Sequence, residues 1–221
     1  RILIAIALAG DPDVIIADEP TSALDVTVQK QILDHLQDLV SQRGTSLLFI
    51  THDLGVASDR TDTILVMHNG GVVERGKPAD VFLHPRDPYT KQLIEAAPTL
   101  SKSSRPHVSD HRLEHRQPPH DEHVITLNDL TKVYKLRGST STVTALNHVS
   151  LTATKGRTTA IIGESGSGKT TLANILLGLE HATSGSVLLD GRSVDATTRQ
   201  ERRLLKRFTQ PVFQDPYSSL N

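Results

Sequence analysis

The chain has 221 residues, a formal net charge of −1, 37% hydrophobic and 22% charged residues. That length and balance suit a globular chain of one to two domains with a sizeable core, and nothing in them points to a global nucleic-acid or membrane-surface binder. The lack of cysteine excludes disulfides, Cys-based zinc sites and iron–sulfur clusters in these residues, and no apolar run approaches the ~20 residues of a membrane span.

Arg1 to Ala9 reads as the end of an apolar helix, closed by Gly10-Asp11-Pro12. The run Val14-Ile15-Ile16-Ala17-Asp18-Glu19 follows, apolar as a parallel strand buried on both faces must be, and ending in two acids. Ligands of parallel α/β sheets gather beyond the carboxyl ends of the strands, where Asp18 and Glu19 fall. There one carboxylate can hold a Mg²⁺ shell and a second can orient or deprotonate a water; two acids that merely end a strand are the plainer alternative. Asp25 is placed to cap a helix over about Val26 to Ser41, with Val28, Ile32, Leu36 and Leu39 on its apolar face. Ser46 to Thr51 reads as another buried strand with His52-Asp53 just past its end, where a histidine can cap, pack or meet a γ-phosphate. Thr63 to Met67 and Val72-Val73-Glu74 form a hairpin around Asn69-Gly70-Gly71. A short helix is expected at Pro78 to Leu83, and Pro85-Arg86-Asp87-Pro88-Tyr89 reads as a turn into a last helix ending near Ala97-Pro98.

From about Thr99 to His123 the composition turns to Ser, Pro, His and mixed charge, the mark of a flexible linker. His107, His111 and His115 have helical spacing and His120 and His123 follow, but the prolines favour a solvated linker over a metal site. Val124 to Tyr134 and Thr142 to Ala153 read as antiparallel strands, and Thr158 to Ile162 as a buried strand. Gly163, Glu164, Ser165, Gly166, Ser167, Gly168, Lys169, Thr170 and Thr171 then fit G-x-x-x-x-G-K-[ST]. In such a loop the backbone amides curl around phosphate oxygens, the lysine meets the β/γ-phosphates and the hydroxyl at Thr170 ligates Mg²⁺. The helix from Thr170 to Leu177 aims its positive end at the same place. Ser184 to Leu189 is a strand, Arg199 to Arg207 a basic helix with a solvated face as its commoner meaning, and Gln214 ends an apolar strand. A start at Arg1 and a stop at Asn221 both read as cut ends.

These residues resemble the ATP-binding subunits of ABC transporters, as two partial copies. Ile15 to Asp25 is similar to a Walker B strand, catalytic glutamate and D-loop, and Ile50-Thr51-His52-Asp53 to a switch-histidine segment. In the second copy Tyr134 falls where an aromatic stacks on adenine, Gly163 to Thr171 is the Walker A loop and Gln214 the Q-loop glutamine. The resemblance implies an α/β P-loop NTPase (ABC ATPase) fold. It divides the chain into the second half of one domain (1–98), a linker (99–123) and the first half of another (124–221). It implies Glu19 and His52 as catalytic, Asp18, Thr170 and Gln214 as Mg²⁺ candidates, and Ser22 and Asp25 of the D-loop as nucleotide-site candidates. Lys169 and Glu19 would belong to different ATP sites of a longer protein.

Asn69 to Gly76, His84-Pro85, Pro88-Tyr89-Thr90 and Gln214 to Asn221 resemble dipeptide/oligopeptide importer ATPases in particular. The expected protein powers import of peptides or similar solutes with ATP and Mg²⁺. It would pair its ABC modules with each other, with two transmembrane permease subunits and with an extracytoplasmic solute-binding protein, on the inner face of the cell membrane, without nucleic acid. Two alternatives stand beside it. One is a soluble tandem ABC protein without a permease, of the translation-factor type. The other is a permuted core in which the two halves fold together and, lacking an LSGGQ signature, bind ATP but hydrolyse it poorly.

Overall fold

The computed structural model describes residues 2–21, 25–97, 122–136, 138, 140–194 and 198–212, with side chains from Ile4 onward. Ser22, Gln214 and the linker histidines 107, 111, 115 and 120 lie outside the described residues.

The centre is a six-stranded sheet in the order β10-β1-β2-β7-β3-β4. Strands β1 (Val14–Asp18), β2 (Ser46–Thr51), β3 (Thr63–His68) and β4 (Gly71–Gly76) come from the first part of the chain; β7 (Thr158–Ile162) and β10 (Thr209–Val212) come from the last. β7 enters between β2 and β3, parallel to both, with Ile161 opposite Ile50 on one side and Leu65 on the other. β10 lies parallel to β1 on its other edge. Strands from both parts of the chain thus build one sheet. The reason lies in the strands themselves. The five residues of β7 are all buried, so the amides and carbonyls along both its edges need strand partners, and β2 and β3 supply them.

Alternate residues of the central strands face two different cores. Ile16, Leu48, Leu65, Met67 and Ile161 point to one side. There they meet α6 (Lys169–Leu176) and an antiparallel sheet of β5 (His123–Lys135), β6 (Thr142–Thr154), β8 (Ser184–Leu189) and β9 (Arg192–Ser193). On the other side Ile15, Ala17 and Phe49 pack on α1 (Ile2–Ala9) and α2 (Val26–Arg43). Ile64, Val66, Ala160 and Ile162 on that side meet α3 (Leu54–Arg60), α4 (Pro78–Leu83) and α5 (Pro88–Glu95). A basic helix, α7 (Arg199–Phe208), carries a full capping box at Thr198 and Glu201 and leads into β10.

Several local expectations need adjustment. Helix α2 runs on to Arg43 before Gly44 caps it in the left-handed conformation, and its buried line is Leu33, Leu36 and Val40, with Ile32 and Leu39 on the flanks. Helix α3 was not foreseen. Its signal is Asp53, whose carboxylate accepts from the Val56 amide as an N-cap. Asn69 and Gly70 both have positive φ, 48° and 79°, as a two-residue hairpin turn requires.

Ile161→Ala tests the shared sheet. Ile161 is fully buried between strands of the other half of the chain, so the truncation should cost about 2–5 kcal/mol. In urea it should lower the midpoint of a single transition, because the halves unfold together. Two separate transitions, with only one displaced, would mean that each half folds by itself.

Candidate nucleotide-binding site

The loop after β7 is shaped by its glycines. Gly163 and Gly168 have φ of 155° and 102°. A Cβ at Gly163 would lie 2.2 Å from the Met67 carbonyl oxygen, and one at Gly168 would lie 2.5 Å from that of Ala145. No other side chain fits this path, which brings the backbone of Glu164 to Gly168 round to the start of α6. The Lys169 side chain folds back beneath the loop: its ammonium donates to the carbonyls of Gly163 (2.8 Å) and Glu164 (2.7 Å) and lies 3.4 Å from the Ser167 hydroxyl. Only 7% of the residue is exposed. Burial lowers the Lys169 pKa, and the nearby Glu19 and Asp18 carboxylates oppose that shift.

Those two acids come from β1, two strands away from β7. Asp18 ends the strand and forms a side-chain hydrogen bond with Thr170, the residue after Lys169. Its pKa is raised, first by burial and then by Glu19, against the hydrogen bond from Thr170 and the charge of Lys169. At Glu19 the chain turns through a left-handed conformation (φ 46°) while its amide donates to Ile50. A left-handed φ costs a non-glycine residue on the order of 1 kcal/mol or more, and such sites cluster where function requires them. The turn places a Glu19 carboxylate oxygen 3.0 Å from His52 Nδ1, the first residue past β2. The Glu19 side chain is 22% exposed and that of His52 64%, so the acid is shielded and the imidazole faces outward.

The fold therefore gathers Lys169, Thr170, Asp18, Glu19 and His52 at the carboxyl ends of β7, β1 and β2. Tyr134 reaches the same helix from β5: its hydroxyl is hydrogen-bonded to Glu180 and to Thr171, and Lys132 places its ammonium 4.9 Å from the ring centre. Burial, then the bond to Glu180, raises its pKa. Asp25 is an N-cap, accepting from the amides of Thr27 (3.1 Å) and Val28 (3.0 Å). Tyr89 and His68, neither of them a predicted site residue, also meet the loop: the Tyr89 hydroxyl accepts from the Glu164 amide at 3.1 Å, and its ring stacks on His68. The only available signal was the Pro88-Tyr89-Thr90 motif, which carries no chemistry until the fold brings it here.

A cradle that admits no Cβ at Gly163 or Gly168, a buried ammonium held by loop carbonyls, and a hydroxyl–carboxylate pair beside it fit a nucleotide polyphosphate and its divalent cation. Thr170 and Asp18, paired beside the loop, could face a divalent cation alongside phosphate oxygens.

Loop, parallel strands and acid pair fit an α/β fold of the P-loop NTPase type. Residues 146–221 match the ABC transporter family. Over its full length the chain is similar to two longer ATP-binding proteins. It is 40% identical, across 230 residues, to the peptidoglycan transport ATP-binding protein YejF of Agrobacterium fabrum, spanning 39% of it. It is 35% identical, across 240 residues, to the glutathione import ATP-binding protein GsiA of Salmonella paratyphi A, spanning 38% of it. The chain thus covers well under half the length of these relatives.

Asp18 offers a pH test without ligand. A carboxyl whose folded pKa exceeds its unfolded value of about 4 binds its proton more tightly when folded, so its ionised form costs stability as pH rises through that window. Asp18→Asn should therefore raise the melting temperature of the unliganded protein at pH 7, by about 2–4 °C for each kcal/mol relieved. The gain should vanish as pH falls towards about 4. A variant less stable at pH 7, or a gain independent of pH, would contradict the assigned environment.

Proposed function

We propose that the chain belongs to a longer tandem ABC ATPase, which binds and hydrolyses ATP with Mg²⁺ to power an importer of peptides or similar small solutes. The observation that carries this reading is the similarity of the whole chain to ATP-binding proteins of which it spans only 38–39%. Support comes from relatives whose similarity runs through both halves and the linker in the same order. The solutes in their names, glutathione and peptidoglycan, both contain peptide bonds. The importer-like tail at Pro88-Tyr89-Thr90 agrees with that class.

In this proposal Lys169 and the loop amides hold the β/γ-phosphates, Thr170 and Gln214 face Mg²⁺ and Tyr134 stacks on the adenine of one ATP site, while Asp18 holds Mg²⁺ through its shell at the other. Glu19 accepts a proton from the attacking water, and His52, bonded to Glu19, contacts the γ-phosphate. Ser22 and Asp25 belong to the D-loop that approaches the neighbouring module's nucleotide. The partners are a second ABC module, two transmembrane permease subunits and an extracytoplasmic solute-binding protein. The protein would act on the cytoplasmic face of the cell membrane; no helix among the described residues is long and apolar enough to cross it.

A second reading rests on the shared sheet. The 221 residues would by themselves form a permuted core that binds ATP and turns it over slowly.

Calorimetric titration with MgATP tests the site, and turnover in the longer protein tests the role. Lys169→Ala should weaken MgATP binding at least about tenfold, the loss of one charge-assisted contact of roughly 1.5 kcal/mol or more. Glu19→Gln should keep binding and reduce hydrolysis by about 10²-fold or more, the scale of a general base. Unchanged binding in the first variant would remove the phosphate site. Unchanged turnover in the second would remove the base.

A further inference from the structure

The sequence places Tyr89 about 75 residues before the phosphate-binding loop, yet its side chain touches that loop. The contact is built up in steps from β4. The Glu74 carboxylate accepts the amides of Arg86 (3.0 Å) and Asp87 (3.1 Å), tying the turn before α5 to the sheet. Burial pushes the Glu74 pKa up, but these amides and the nearby Arg86 charge outweigh it and hold the carboxyl below its ordinary range. Asp87 then caps α5 by accepting from the Tyr89 amide at 2.8 Å. The Tyr89 ring lies flat against His68, with centroids 3.8 Å apart and planes 24° apart. Ring and helix are thereby fixed, and the hydroxyl is left to accept from the Glu164 amide at 3.1 Å.

We propose that Tyr89 is a positioning residue for the phosphate-binding loop, holding its first turn from outside through the Glu164 amide. This deepens the nucleotide-site reading given above and rests on it. The same strand end supplies two further restraints. The Met67 carbonyl presses on Gly163, and the Gly70 amide donates to the Ser167 carbonyl at 3.1 Å. The loop is thus held at its start by Tyr89 and at its far side by Gly70. With Glu164 N–H turned to Tyr89 and Ser167 N–H donated to the Glu164 carbonyl at 3.3 Å, the amides left for phosphate are those of the other loop residues, and their orientation is set before a nucleotide arrives. A preset loop avoids the ordering cost that a loose one incurs on binding.

Tyr89→Phe isolates the hydroxyl, because the ring that stacks on His68 is retained. The test combines amide hydrogen exchange of the loop with MgATP titration, on wild type, Tyr89→Phe and the exposed α5 control Lys91→Ala. In Tyr89→Phe the Glu164 amide should exchange about 2- to 10-fold faster and MgATP should bind about 2- to 10-fold more weakly, the range of one hydrogen bond. Exchange in the sheet should stay at the wild-type rate, and Lys91→Ala should alter neither quantity. Unchanged Glu164 protection overturns the positioning role, as does lost protection with unaltered affinity. A wild-type protein that binds no MgATP overturns the nucleotide reading and the positioning role together. Binding in wild type that Tyr89→Phe leaves intact overturns the positioning role alone.

Discussion

A strand buried on both faces still has two edges of amides and carbonyls, and in the absence of water only neighbouring strands can satisfy them. β7 is such a strand, and its place between β2 and β3 is the constraint on which the rest depends. Once Ile161 is paired with Ile50 and Leu65, the loop that follows must emerge beside the ends of β2 and β1. The acids of β1, the histidine after β2 and the lysine after β7 then meet without any long-range electrostatic search. Parallel pairing is what makes this possible, since it puts the carboxyl ends of all these strands on one edge of the sheet.

In the site that results, burial and charge oppose each other. Burial drives Asp18 towards its protonated form and Lys169 towards its neutral form, while each charge favours the other. The lysine is satisfied by carbonyls and a hydroxyl of its own loop rather than by a full counter-charge. A polyphosphate with a divalent cation would provide charge to both groups at once. Buried groups set against each other in this way are the usual accompaniment of a site organised in advance of its ligand. The left-handed turn at Glu19 belongs to the same pattern, a local cost held in place by the Ile50 carbonyl and directed at His52.

The segment from β3 to α5 serves the loop as much as the core. Met67, Gly70 and Tyr89 each touch a different residue of it, from a hairpin and a short helix that contribute no charge to the phosphates. Glu74 anchors that helix through two backbone amides rather than a salt bridge, which fixes geometry more tightly than two flexible side chains would. The tail of the first half of the chain and the loop of the second are therefore one mechanical unit.

The phosphate loop, the acid pair, the capping Asp25 and most strands could be read directly, because each is a local rule. Glycine spacing, an apolar run ending in carboxylates and an Asx side chain before a helix declare themselves within ten residues. Helix α3 escaped because seven residues carry too little periodicity to stand out. Tyr89 escaped because a tyrosine after a proline has no meaning until a fold supplies its partner. What the sequence by itself determined was the chemistry on offer: a phosphate cradle, a hydroxyl, two acids and a histidine. The tertiary structure alone decided which of these meet. That decision rests on edge-to-edge strand pairing between residues more than 100 positions apart, a choice made by backbone hydrogen bonds and buried area that no local pattern records.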